Sequence, residues 1–246
     1  MKSERYQKVR VTAKDLLNEL EANPEYIARM ELEIERRKKA RKEYLLEAIP
    51  IMEELSQVGI TVIEDEGISS IYRTEANRDK KVYTRAVPIL INWLPRVQNR
   101  YVKDDIVRTL TVPWAKPVAA LPLIAEYKEI DNDSLDGFIK WAIGNALSVV
   151  ADDSVYADIV NLAQDKRHGK AREMVVVALG NMRTPDAVEV LTNLLNDDEV
   201  AGHAIIALGK LKAKEAKENI EPFLNHPKAW IRKEAKRAIA KIDKVK

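Results

Sequence analysis

The stretch VVVALGNMRTPDAV (175–188) places Gly180 after an apolar run and follows it with Asn181, Arg183, Thr184, Pro185 and Asp186. A glycine that opens a turn before polar residues is one way to cradle a phosphate. Neither G-x-x-x-x-G-K-[ST] nor G-x-G-x-x-G surrounds it. The stretch DNDSLDGF (131–138) has the look of half a calcium loop. Its glycine falls at the seventh position rather than the sixth, and the twelfth is Ala142, not the glutamate that chelates calcium. The three histidines, His168, His203 and His226, lack metal-ligand spacing. His203, in AGHAII, reads as a hydrogen-bonded, half-buried imidazole rather than a general base. With no cysteine there is no disulfide, zinc-thiolate or thiolate nucleophile, and no G-x-S-x-G is present. The pairs Asp152-Asp153 and Asp197-Asp198 fall in turns and read as caps for the second helix (B) of a helix pair. The residues therefore lead us to expect no catalytic group, no metal and no cofactor.

What remains is architecture. The chain has 246 residues, 33% of them charged, with 8 Gly and a formal net charge of +2. That favours a helix-rich protein over a glycine-turned sandwich, and it is not the strongly basic balance of a nucleic-acid binder. No apolar run approaches the ~20 residues that span a bilayer. The opening MKSERYQKVR lacks the apolar core of a secretory leader. A soluble, cytoplasmic protein with no membrane partner is the expectation. GITVIEDEGISSIY (59–72) reads as a strand or as a loop with a short helical turn.

The opening stretch recurs. KWAIGNALSVVADDSV (140–155), VVALGNMRTPDAVEVL (176–191), IIALGKLKAKEAKENI (205–220) and KRAIAKIDKVK (236–246) align on Ala142, Ala178, Ala207 and Ala238, at spacings of 36, 29 and 31. DDIVRTLTV (104–112) is a weaker copy with Thr109 in the same column. Self-similarity at this period means stacked units, each unable to bury its apolar face alone. Each unit reads as a first helix A, such as YADIVNLAQD (156–165), a turn, and a second helix B, such as KAREMVVVALGNM (170–182). Thr184-Pro185 has the form of an N-cap followed by a proline at the first helical position. Gly144, Gly180 and Gly209 occupy one column, where helix B must pass close to its neighbours and end.

An apolar helix A, an Asp- or Pro-containing turn, a basic residue and then A-[IL]-G resembles HEAT repeats of the short bacterial, PBS-lyase HEAT-like type. The resemblance covers residues 86–244, roughly two-thirds of the chain. It implies an all-α, α-α superhelix, a solenoid of about five helix pairs that serves as a binding scaffold and carries no reaction. The family's basic residue six before the alanine appears as Lys103, Arg172 and Arg232, but as Asp136 and Ala201 in the other two units. Some HEAT-like proteins are alkylpurine DNA glycosylases and others act on bilins. Trp141 and Arg237 could serve a flipped base, but residues 131–165 hold seven Asp against Lys140 alone, and that opposes DNA.

The first 58 residues differ. SERYQKVRVTAKDLLNELEA reads as one helix ending near Asn23-Pro24, and Pro24 opens a long second helix that Pro50 could kink. Its middle, RRKKARK (36–42), has six bases in seven, flanked by Glu31, Glu33, Glu35, Glu43 and Glu47, and reads as a solvated helix. The expected organisation is this N-terminal long-helix segment (1–58), a connector (59–85) and the repeat array (86–246).

Alignment of the B helices on their alanine separates two faces. Positions three before, zero and one after point inward. Positions five, four and one before and three after share the other face, which the resemblance implies is the concave, site-bearing side. That face carries Arg108; Phe138, Trp141 and Asn145; Met174, Val177 and Asn181; His203, Ile206 and Lys210; and Arg237. Its ends are charged and its middle is apolar, which is unusual for a surface that nothing covers. Three arrangements account for it: part of the set is ordinary core, or the stripe at 44–55 folds back over it, or a partner helix or peptide occupies it. The expected function is non-catalytic protein binding, with nucleic-acid binding as the alternative. Residues 210–246, with twelve bases and five acids, read as a polar cap on the last repeat.

Overall fold

A computed structural model describes residues 12–75, 79–131 and 137–244. Residues 132–136 of the half-loop DNDSLDGF, the basic-column position Asp136 among them, fall outside these. Every regular element among the described residues is helical, and the only β feature is an isolated bridge between Ile63 and Gly67. No described helix is long and apolar enough to cross a membrane. The chain divides into two compact units, Met1–Leu46 and Glu47–Lys246.

In the first unit α1 (Ala13–Glu21) is followed by a turn at Ala22-Asn23 and by α2 (Pro24–Gln57). The Asn23 side chain accepts from the backbone N–H of Glu25 and Tyr26 at 2.9 and 3.3 Å, which caps α2. Along α2, Glu33 pairs with Arg36 and Arg37, and Glu35 with Lys38.

The second unit begins with the last three turns of α2, where Ala48, Ile51 and Leu55 form a fully buried stripe. The Glu47 carboxylate accepts from the backbone N–H of Gln98 and Asn99, beside the N-terminus of α5 (Arg100–Leu110). Residues 64–66 and 68–72 are two 3-10 turns, not a strand. Gly59 and Gly67 take the positive φ that a strand would exclude, and the second turn packs on α5. After α3 (Lys80–Tyr83) come five helix pairs. They are α4 (Ala86–Trp93) with α5, α6 (Ala120–Glu129) with α7 (Gly137–Val150), and α8 (Tyr156–Gln164) with α9 (Arg172–Ala178). Then come α10 (Asp186–Leu194) with α11 (Ala201–Leu211) and α12 (Lys217–Ile220) with α13 (Ala229–Ile242). Pro222 turns the rest of that last A helix into a 3-10 segment, 221–225.

Each B helix packs on the next, α5 on α7, then α9, α11 and α13. Residues three before the alanine (Ile106, Ile139, Val175, Ala204, Ala235) are all buried, as is the alanine column itself. The close approach has a visible cause. A Cβ on Gly180 would stand 3.0 Å from Ala207 Cα, and one on Gly209 would stand 2.8 Å from Ala238 Cα. The helix-ending role expected of these glycines is not realised. Gly144 and Gly209 lie inside helices, Gly180 lies in a 3-10 turn after α9, and none has positive φ. At the end of α11 that backbone falls to Lys212, at φ 56°.

Two expected caps are also different. Thr184 does not cap α10. Asp153, one unit earlier, accepts from the Arg183 and Thr184 backbone N–H at 2.7 and 3.3 Å. Asp152 caps the turn into α8, an A helix rather than a B helix.

The basic column ties A helices to B helices. Arg172 is fully buried and donates to the carbonyls of Ala163 and Gly169, to Asp197 at 2.9 Å and to Glu199 at 2.8 Å. Burial works against its charge, but Asp197 and Glu199 outweigh it and hold the guanidinium above its ordinary value. Arg232 donates to the carbonyls of His226 and Pro227. In the second unit Lys140, four residues further along, reaches back to the Ile130 carbonyl at 2.7 Å and covers the Tyr127 ring. A long cation from another position thus satisfies the same orphan carbonyl at the end of helix A.

Candidate partner-binding face

None of the eleven residues assigned to the outer face is buried, so the periodicity that puts the small residues inside puts these outside. Phe138, Trp141, Arg108, Lys210 and Arg237 are exposed; Asn145, Met174, Val177, Asn181, His203 and Ile206 are half-buried. Some are brought into direct contact. The Arg108 guanidinium lies 5.3 Å from the Phe138 ring centre while its Nε donates to Asp104 at 2.7 Å. Asn181 links three units: its amide donates to the Ser148 carbonyl at 2.7 Å and its carbonyl accepts from Lys210. Arg237 instead pairs along its own helix with Glu234 at 2.6 Å.

His203 lies between two groups that the sequence did not join to it. Its Nε2 is 3.9 Å from the Glu173 carboxylate, and its ring centre is 5.3 Å from that of Trp230. Burial pushes this imidazole below its ordinary value, and Glu173 offsets part of that. Trp230 can lie there because the neighbouring helix has no side chain at Gly202, where a Cβ would stand 2.1 Å from the ring. The available signal was the pairing of an aromatic residue eight before the alanine in one unit with a glycine in the unit before it. Tyr101 holds the same column in the first unit. With Arg100, Asp104, Phe138 and Ile139 it lines a cavity of about 240 Å³.

Charges of both signs flank the face. The N-terminal ends of the B helices present Asp104, Glu173 and Glu234 but also Lys233, and further along they present Arg108, Lys210, Arg237 and Lys241. Burial, and then the nearby charges of Lys116 and Lys241, lower the Lys210 ammonium. No group of three or more His, Cys, Asp or Glu among the described residues is arranged to hold a metal ion.

Five successive helix pairs with B helices in contact define an α-α repeat protein. The family model of the PBS lyase HEAT-like repeat matches residues 171–197, from the start of α9 to the turn before α11. That stretch is similar to a HEAT-like repeat, and the match together with the helix pairs supports a HEAT-like reading of the array; repeats of this kind often mediate protein interactions. No curated protein matches the chain.

Proposed function

We propose that the chain is a non-catalytic interaction scaffold whose B-helix face takes an amphipathic helix or peptide of a partner protein. One observation carries this reading. Tyr101, Phe138, Trp141 and Trp230 stand on that face with 52%, 56%, 39% and 43% of their surface exposed. Large aromatics bring much contact area at little cost in side-chain freedom and dominate interface energetics. Met174, Val177 and Ile206 supply an apolar floor between them. Charges of both signs around the apolar floor favour a partner whose flanks carry complementary charges, which fixes its orientation. Asp104, Asp105, Glu173 and Glu234 among the bases of the same face leave it without the strongly basic balance that nucleic acid needs.

The test begins with affinity capture from cell extract, using wild type and Trp141→Glu as matched baits. The captured protein is then purified and titrated against both. The expected result is a dissociation constant at least ~10-fold weaker for Trp141→Glu, or ~1.4 kcal/mol, with helicity and melting temperature unchanged. Equal affinity of the two baits would sink the proposal. So would salt-steep binding of DNA or RNA in fluorescence polarisation that the partner does not compete away.

A further inference from the structure

One end of the B-helix face gathers three lysines around a fixed point. Lys210 and Lys241 lie in the last turns of α11 and α13, which pack on each other. Lys116 follows the 3-10 turn Pro113–Ala115, after α5. Lys210 is pinned: its ammonium donates to the Asn181 side-chain carbonyl, and the Asn181 amide donates to the Ser148 carbonyl. Lys116 and Lys241 both come close enough for their charges to act on it. Side chains of non-adjacent units thus meet here through repulsion rather than a bond. Lys116 is half-buried, and Lys210 and Lys241 are exposed.

Other lysines that reach between units show what this cluster lacks. Lys103 meets Glu126, and Lys128 meets Asp158. Buried Lys140 is offset by Asp131 and Asp165. Lys210 meets an amide oxygen and two like charges, with no acid among the described residues set against them. The carboxylates at this end of the B helices are engaged. Asp152, which Lys116 approaches, accepts from Ser154; Asp153 accepts from the Arg183 and Thr184 backbone, and Asp243 pairs with Lys217. A lysine in a last turn complements the helix dipole, which accounts for Lys210 and Lys241 singly but not for the gathering of three. A concentration of one charge sign attracts the opposite one.

The surroundings select the anion. Ile206 lies one turn before Lys210, ~6 Å along the axis, so whatever neutralises the lysines also meets the apolar floor. The face as a whole lacks the basic balance that nucleic acid needs. An acidic stretch of an amphipathic helix or peptide satisfies both lysines and floor. We propose that Lys116, Lys210 and Lys241 receive carboxylates of the partner protein, with Asn181 positioning Lys210. This rests on the scaffold reading above and adds the chemistry of one flank of the partner.

The probe is acetylated tetraglutamate amide, titrated into the full chain carrying isotope-labelled lysine and followed by NMR. Single Lys→Arg variants assign the signals. The three lysine signals should move together on one saturation curve, while that of Lys39 on α2 stays in place. Lys116→Gln and Lys241→Gln should each weaken binding ~3-fold, the worth of an exposed ion pair, and together ~10-fold. Trp141→Ala should leave this titration unchanged, so the cluster and the aromatic floor succeed or fail separately. Equal shifts of lysines all over the surface overturn the proposal, as does an unchanged constant in the double variant. Inorganic phosphate that moves the three signals as far as the peptide does, at equal charge concentration, also overturns it in favour of a free-phosphate site.

Discussion

The two sides of the B helices obey different rules. On the inner side the residue types repeat from unit to unit, and the spacing between helices is so small that Gly209 and Ala238 leave no room for another carbon. On the outer side the same helices carry Asp, Phe, Met, His and Glu in a single column, four before the alanine. Packing against a copy of itself forces a repeat to stay a repeat, because each inner residue must fit the next unit's inner residue. No such demand acts on the outer side, so its divergence is where an individual function can be written. The contrast at two glycines makes the point. Gly209 is required by backbone, and Gly202 by one aromatic ring that lies across it.

Three measurements sharpen or break this division. The largest effect belongs to Arg172→Met. It leaves two carbonyls, Asp197 and Glu199 without their donor. Removing one partner of a buried ion pair costs about 3–5 kcal/mol, and the partial exposure of both acids points to the lower end. At ~2–4 °C per kcal/mol for a chain of this size, the thermal midpoint should fall by ~6–12 °C; a fall under two degrees would show the hub to be dispensable. Next is Gly209→Val, whose side chain must force α11 from α13, at about 3 kcal/mol by denaturant titration. If the titration curve does not move, the seam is looser than its distances imply.

The smallest effect is with pH. Burial holds His168 and His203 below the ordinary imidazole value of 6.5. Groups depressed in the folded state contribute stability that is complete above that value. It is lost as pH falls through the folded value, because the unfolded chain then binds more protons. Melting temperature should therefore be level above about pH 7 and decline toward pH 5, with a shallower decline in His203→Gln. A midpoint that rises on acidification contradicts this.

The inner side was legible in the sequence because it is periodic. The alanine column and the apolar position three before it fixed the phase of every B helix. Trp230 was not legible, because its place depends on a missing side chain in another unit, Gly202. Lys140 was missed for a related reason: the basic column fails at Asp136, and only the structure reveals that a cation elsewhere reaches the same carbonyl. The glycines misled in the other direction. A glycine after an apolar run suits a helix end as well as a close crossing, and only the dihedral angles separate the two. On the outer face, exposure was foreseeable from spacing, whereas the contact of His203 with Glu173 and Trp230 needed the distance between helices.

The polar links between units share one reach. Lys128 meets Asp158, Asp153 meets Arg183, Ser148 meets Asn181, and Asn181 meets Lys210. Each spans about one unit and none skips over a neighbour. A chain wired in this way has no master address for any of its parts: every pair needs to recognise only what comes before it and what comes after. Its length is therefore editable. Whole units could be duplicated or deleted with the joints left readable, while a cut of half a unit would put every later residue out of step.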